Sequence, residues 1–491
     1  MLTGRNSQGS LKTRGAASFA VALLASGASL GCGSDPNGGT STGTDHVDGQ
    51  VTWNQDIAPI VAKKCVMCHE PGGIGPMSLA DYATAYQFAG KMLAQVEAGT
   101  MPPWGARSTD ECTPAFGFKD DPRLTDEEHG LLSSWLDGGA PEGPPRATPL
   151  AKPVSTALKN PDLHLTIPSA VEITGTSDRF VCFVLDPGYT KDKYIKAVQL
   201  NPGNPAVVHH VLVFADSKDE ASALDAKDGA SDGQYDCFGG PGLTAPVQLL
   251  GAWAPGAVPA VMPEDVGIQL TGGTKVVIQV HYHPTRIKPE VDASTSVDMV
   301  FTDTPKIAGL LALIGNFKEA NLDIAGGAGY GLLPGPDDPA TGPAFEIPPN
   351  VTAHTEAQRF LVREPGADAP TALLGAKAFR IFGVGTHMHY VGRDMKIDVQ
   401  HADGQKECLL ETPAWDFNWQ RVYYYDTPLA SAPVVRPGDV INMRCSYDNS
   451  MANPFVRTAL DQQGISVPVQ VGLGETTLDE MCLGAFGIAL E

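Results

Sequence analysis

The sequence predicts a multidomain chain, a small all-α domain followed by two all-β domains of sandwich type. Three observations carry this. Helix-patterned stretches are confined to residues 51–145. From about residue 160 onward, short runs rich in Val, Ile, Phe and Tyr recur between Pro, Gly, Asn and Asp, a strand-and-turn pattern. The 491 residues also include 54 Gly and 40 Pro, many for a helical protein and suited to the turns of a β-rich one.

The first 31 residues read as an export signal. Arg5, Lys12 and Arg14 make a positive n-region, and Ala16 to Leu30 is an apolar stretch too short to span a bilayer. It ends in Ser29-Leu30-Gly31-Cys32, a lipoprotein-type processing site with Ser29 where the usual pattern has Leu. Cys32 is then the lipidated residue; the alternative is ordinary cleavage nearby with Cys32 incidental. Residues 32–50 have almost no apolar content and read as a flexible tether. The expected location is therefore the periplasm or the outer membrane, with membrane contact only through a lipid anchor. The net charge of −22 argues against nucleic acid and anionic membrane surfaces as partners, since both require basic patches.

In the helical block, residues 56–70 (DIAPIVAKKCVMCHE) and 79–99 read as helices. Residues 124–139 do so too, with an acidic first turn and glycine stop signals. Cys65, Cys68 and His69 form a CxxCH motif, the attachment signal of a covalent c-type haem: the thiols add to the haem vinyls and the adjacent histidine ligates iron. A chance match or a redox disulfide is the competing explanation. A methionine as the second axial ligand suits an electron carrier. Met101, in GTMPPW, fills that place by resemblance to small cytochrome c domains, with Met77 as its rival.

A Pro-rich linker (141–155) leads to the β part, read as one domain over 155–300 and a second over 305–491. Residues 322–350 are Gly/Pro-rich and read only as a long loop. Half of the 12 histidines fall in three clusters on strand-like runs: His209-His210, His281-Tyr282-His283 and His387-Met388-His389. Residues two apart on a strand share a face, so His387 and His389 can reach one metal ion. Adjacent His209 and His210 need a strand end or a bulge to do so. Neutral imidazole suits copper, zinc, iron or nickel.

The segments HHVLVF, KVVIQVHYH, THMHYVG and TTLDEMC, in that order, resemble the copper type II, ascorbate-dependent monooxygenases. The resemblance covers roughly residues 160–490. It implies two packed, jelly-roll-like β domains and two copper ions, one on His209, His210 and His281, the other on His387, His389 and Met481. His283 matches no family ligand. It also implies disulfides Cys182–Cys237 and Cys445–Cys482; Cys112 and Cys408 are left over and could pair, locking the helical domain on. The implied activity is hydroxylation of a C–H bond of a small molecule by O2, catalysed at His387, His389 and Met481. An ascorbate-like reductant or a periplasmic redox protein would supply electrons through the fused haem. Gly385, Leu483 and Ala485 stand where peptide-hydroxylating members carry polar substrate contacts, so the resemblance points to an apolar or aromatic substrate. The alternatives are a non-catalytic haem- and copper-binding lipoprotein and a zinc hydrolase. The latter lacks a Glu poised as base, and its Met would be a poor zinc ligand.

Overall fold

Apolar runs become doubly covered strands here. In the strand Val208–Asp216, Val211 and Val213 enter one core while Leu212 and Phe214 enter another on the opposite face. This explains why VVHHVLVF reads as nearly continuous hydrophobicity rather than as alternation. The computed structural model describes residues 49–491 apart from 72–74, 149, 151–156, 176, 245–246, 255, 286–287, 318–329, 336–337, 340, 364–377 and 477. The predicted signal, Cys32 and most of the tether lie outside the described residues, as do much of the linker and part of the 322–350 loop. Among the described residues, no helix is long and apolar enough to cross a membrane.

In the first β region, β1 (Arg179–Leu185), β2 (Val208–Asp216), β3 (Gln248–Trp253) and β4 (Lys275–Tyr282) form an antiparallel sheet in the order β1-β4-β2-β3. It packs on a second sheet whose strands include Lys193–Asn201 and Ser296–Thr302. Val181, Val213 and Ile278 from the first sheet meet Ile195, Val198 and Met299 from the second in one buried core. That is a β-sandwich. The next strand, β5 (Ile307–Gly315), pairs with β3 on one side and with β8 (Leu483–Leu490) on the other. In turn β8 pairs with β6 (Phe379–His387), so one sheet runs on into the second β region. There β6 and β8 face a five-stranded sheet that contains Gly392–Gln400 and β7 (Val440–Tyr447). Ile381, Val384, Ile397, Ile441, Met443 and Phe486 fill the space between.

The helical block precedes this. Helix α1 spans Ala58–Lys64, α2 spans Tyr82–Glu97 and α3 spans Asp126–Asp137. Helix α3 is started by a capping box between Thr125 and Glu128, and α2 by the Asp81 side chain. The CxxCH motif does not lie within a helix as the sequence suggested. Val66 N–H bonds to Val61 rather than to the residue four before it, the ladder slips, and α1 stops at Lys64, with Cys65 to His69 in the turn that follows. After α2, residues 104–119 run out along the second β region. Gly105 N–H donates to the Tyr423 hydroxyl (3.0 Å), Trp104 meets Tyr423 edge-on at 4.8 Å, and Phe118 stacks on Tyr425 at 5.2 Å. A Cys112–Cys408 disulfide pins this segment, so the two cysteines without family partners do pair.

Candidate metal centres

His209 and His210 lie on β2 and His281 on β4. His210 and His281 sit directly opposite each other, and the register slips between His281 and Tyr282, which next pairs with Val208. That bulge frees His209 to turn toward the same point, the condition adjacent histidines require. One ring nitrogen from each of the three lies within 4.8 Å of the others. His281 Nδ1 is 2.9 Å from His209 Nδ1 and 3.4 Å from His210 Nδ1. Ligands about 2 Å from a shared tetrahedral ion would stand about 3.3 Å apart. His209 stacks on Phe417 and His281 on Phe180. Burial holds His209 and His210 well below the usual imidazole range, with His281 beside them adding to the effect. Burial also lowers His281, against the pull of Asp178. The three rings are thus neutral donors; the buried Nε2 of His209 has no hydrogen-bond partner, while His281 Nε2 lies 3.5 Å from an Asp178 carboxylate oxygen. This donor set fits a copper ion. His283 is occupied otherwise: Nδ1 meets Asp178 at 2.6 Å and Nε2 meets Gln462 at 3.1 Å.

His387 ends β6, and His389 follows two residues on, their rings 5.4 Å apart and at right angles. His387 Nδ1–H donates to Gln420 Oε1 at 2.6 Å, and His389 Nδ1–H to the Asp479 carbonyl at 3.0 Å. Each acceptor fixes the tautomer and leaves Nε2 as the free donor to a metal. Burial holds His387 low against the Gln420 bond, and takes His389 down to about 3, with His387 contributing. Met481 is anchored from its flanks. Tyr447 O–H donates to the Met481 carbonyl at 2.8 Å, Cys482 N–H to Asn316, and Cys482 is bridged to Cys445 on β7. Glu480 is wholly buried and accepts the backbone N–H groups of His389, Met481 and Val391. Its carboxyl is nonetheless pushed up to about 8 by burial. Cys182–Cys237 forms the remaining disulfide. Replacing Cys445 and Cys482 together by alanine is expected to cost about 2–4 kcal/mol of stability. It should also weaken metal binding at the His387 set more than at the His209 set. Denaturant unfolding and site-resolved copper titration check both.

The two sets open on one cavity of about 260 Å³, whose walls include His210, His387 and Met481. Gly385, Leu483 and Ala485 line it too, together with Trp253 and Leu313. A second cavity, about 510 Å³, lies in the helical block and is bounded by Cys65, Cys68, His69, Met101 and Met77. His69 Nδ1–H donates to the Met77 carbonyl at 3.0 Å, which leaves Nε2 for iron. Gly75 lies so close that a Cβ there would sit 2.5 Å from His69 Nδ1. Cys65 and Cys68 are free thiols. An apolar cavity with two free thiols, a tautomer-fixed imidazole and a thioether fits a c-type haem. Sequence reading missed Gln420, Asp178, Phe417 and Glu480. Glu480 alone had a local signal, as the acid next to Met481.

Two β-sandwiches carrying a three-histidine set and a two-histidine-plus-methionine set on one cavity define an oxygen-using copper oxidoreductase. Residues 165–288 match the copper type II ascorbate-dependent monooxygenase N-terminal domain, and residues 367–484 match the C-terminal domain of the same family. The chain belongs to that family. No curated protein sequence matches it. Solved structures resemble it only faintly. The major capsid protein P2 of bacteriophage PM2 shares 10% identity over 67% of this chain and 96% of its own, with a TM-score of 0.24. The VP2 subviral particle of infectious bursal disease virus shares 9% over 69% and 81%, with a TM-score of 0.13. Likenesses of this size carry no functional weight.

Proposed function

We propose that this enzyme hydroxylates a C–H bond of a small, mainly apolar organic molecule with O2, and that its electrons arrive through a haem c on the helical domain. The observation that supports this reading best is the shared cavity, where His210, His387 and Met481 meet walls formed by Trp253, Leu313 and Leu483. His209, His210 and His281 would hold one copper, and His387, His389 and Met481 the other. Cys65, Cys68, His69 and Met101 would hold the haem. Bound there, copper supplies dioxygen binding and one-electron chemistry, with the thioether favouring the cuprous state, and haem supplies a reversible one-electron store.

The remaining work belongs to the chain. Gln420 and the Asp479 carbonyl hold the two imidazoles in the ligating tautomer. Leu483, Ala485 and Gly385 offer no polar group to a substrate, so its apolar part is placed by shape and by excluding water. Arg421 and Glu475, on the same cavity, are the charged groups against which a polar end of the substrate could be placed. Export and lipidation at Cys32 belong to the same proposal and rest on residues 1–32.

The test is copper and haem per chain, on protein exported with haem maturation and loaded with copper. Oxygen uptake with a panel of small aromatic and aliphatic compounds follows. Two coppers, one haem and substrate-dependent uptake are expected. Both metals without any such uptake would favour the non-catalytic redox lipoprotein instead.

A further inference from the structure

Residues 417–421 (Phe-Asn-Trp-Gln-Arg) join the strand Lys406–Thr412 to the strand Val422–Tyr424, and they touch all three candidate centres. Trp419 is part of the wall of the cavity that holds Cys65, Cys68, His69 and Met101. The next residue, Gln420, accepts the Nδ1–H of His387 at 2.6 Å. Gln420 Nε2 donates to the Phe417 carbonyl at 2.9 Å, and the Phe417 ring stacks on His209 at 4.7 Å and on Tyr390 at 4.0 Å.

The segment is held in place on two sides. Asp416 closes a turn over it, accepting from Asn418 N–H at 2.9 Å through its side chain and from Trp419 N–H at 3.0 Å through its carbonyl. Against the indole lies Gly256, at φ +87°, where a Cβ would stand 2.8 Å from the ring. Only glycine lets the backbone of the first β region come so close.

We propose that this segment is the electron junction between the haem cavity and the coppers, with Trp419 as the relay and the Gln420–His387 bond as the point of delivery. The proposal rests on the haem-and-copper reading above and goes beyond it in naming the port. From the Trp419 ring to His387 the path is continuous: the backbone between Trp419 and Gln420, the Gln420 side chain and one short hydrogen bond. From the same segment to His209 it ends in a ring-to-ring van der Waals contact. Covalent links and hydrogen bonds couple donor and acceptor orbitals better than a non-bonded gap, so the His387, His389 and Met481 set receives the electron first. Ferrous haem iron becomes ferric as copper(II) becomes copper(I). No proton moves and no bond is made, and an external one-electron donor restores the ferrous haem. Trp419 is a positioning and relay residue, not a catalytic one.

The experiment uses the full chain with haem and copper loaded, the coppers oxidised, without oxygen or substrate. Haem and copper are first counted on every protein. A one-electron reductant is then mixed in, the haem band is followed by stopped flow, and the copper(II) signals by freeze-quench electron paramagnetic resonance. In the native chain the signal of the methionine-bearing site is expected to fall before that of the three-histidine site. In Trp419→Leu, copper reduction should slow about tenfold, equivalent to about 1.4 kcal/mol on the barrier, while haem reduction keeps its rate. Trp419→Phe, which keeps a ring, should recover most of the rate. Copper(II) lost at the native rate in Trp419→Leu would overturn the proposal. So would the three-histidine signal falling first in the native chain, a reading that needs no variant to fold. A native chain without haem would overturn the underlying function, and the haem count alone reveals that.

Discussion

His387→Ala is expected to strip copper from the His387, His389 and Met481 set, abolish substrate-dependent oxygen uptake, and leave the three-histidine set and the haem loaded. His387 is the half-buried last residue of β6 and lines the cavity, so removing its ring disturbs the metal more than the core. Gln420→Leu grades the effect. It keeps all three donors but removes the acceptor that fixes the His387 tautomer, together with the Gln420–Phe417 bond, so copper affinity should fall about 10–100-fold. His387→Ala should exceed that loss. His283→Ala is the informative contrast. Both its nitrogens are engaged by Asp178 and Gln462, so copper stoichiometry should survive. Chelator competition monitored by the copper(II) spectrum checks all three. If His387→Ala kept both coppers at native affinity, the assignment of the second set would be wrong.

What the sequence disclosed and what it withheld divide along physical lines. A strand's period is local, so the β runs and the shared face of His387 and His389 were readable. So were α2 and α3 to within a few residues, whereas α1 stops well short of the expected Glu70. Whether His209 and His210 could point to one place depended on a bulge, which is a property of β2 against β4 and not of either alone. Gln420, 33 residues from His387, and Asp178, 105 residues from His283, reach their partners through tertiary packing that leaves no spacing signature. The Cys112–Cys408 bridge, 296 residues apart, could be named from the sequence only as the pairing left over; its cause is that residues 104–119 leave the helical block and lie along the second β region. The end of α1 at Lys64 turned on one slipped hydrogen bond that helix propensity does not register.

The metal-free protein should be sharply acid-labile, and the sign follows from the buried groups. His209, His210, His281, His387 and His389 all have folded values below the ordinary 6.5, chiefly through burial. As pH falls below 6.5 the unfolded chain takes up protons that the folded chain refuses, so stability drops toward acid. Each such histidine contributes a slope of about 1.4 kcal/mol per pH unit while it differs between the states. Glu480 acts oppositely. Its folded carboxyl, near 8 against 4.5, stays protonated where the unfolded one ionises, so stability is lost as pH rises from 4.5 to about 8. Below 6.5 the five histidines outweigh Glu480 and the other carboxyls that burial raises, Glu356, Asp394 and Glu475. Above it Glu480 acts together with His401, whose partial burial is outweighed by Asp439 and Glu407 so that its folded value is raised, which puts the stability maximum near pH 6.5. Several kcal/mol should then be lost by pH 5, a large share of the about 5–15 kcal/mol typical of a folded domain. Copper reverses the acid limb, because a ligating imidazole cannot accept a proton until the metal leaves. Melting curves of metal-free and copper-loaded protein from pH 5 to 8 check this, and Glu480→Gln should flatten the limb above 6.5 and steepen the acid limb below it. A metal-free protein equally stable at pH 5 and 6.5 would mean that the histidine sets open to water before they protonate, and the cavity would then not be a closed site for apolar chemistry.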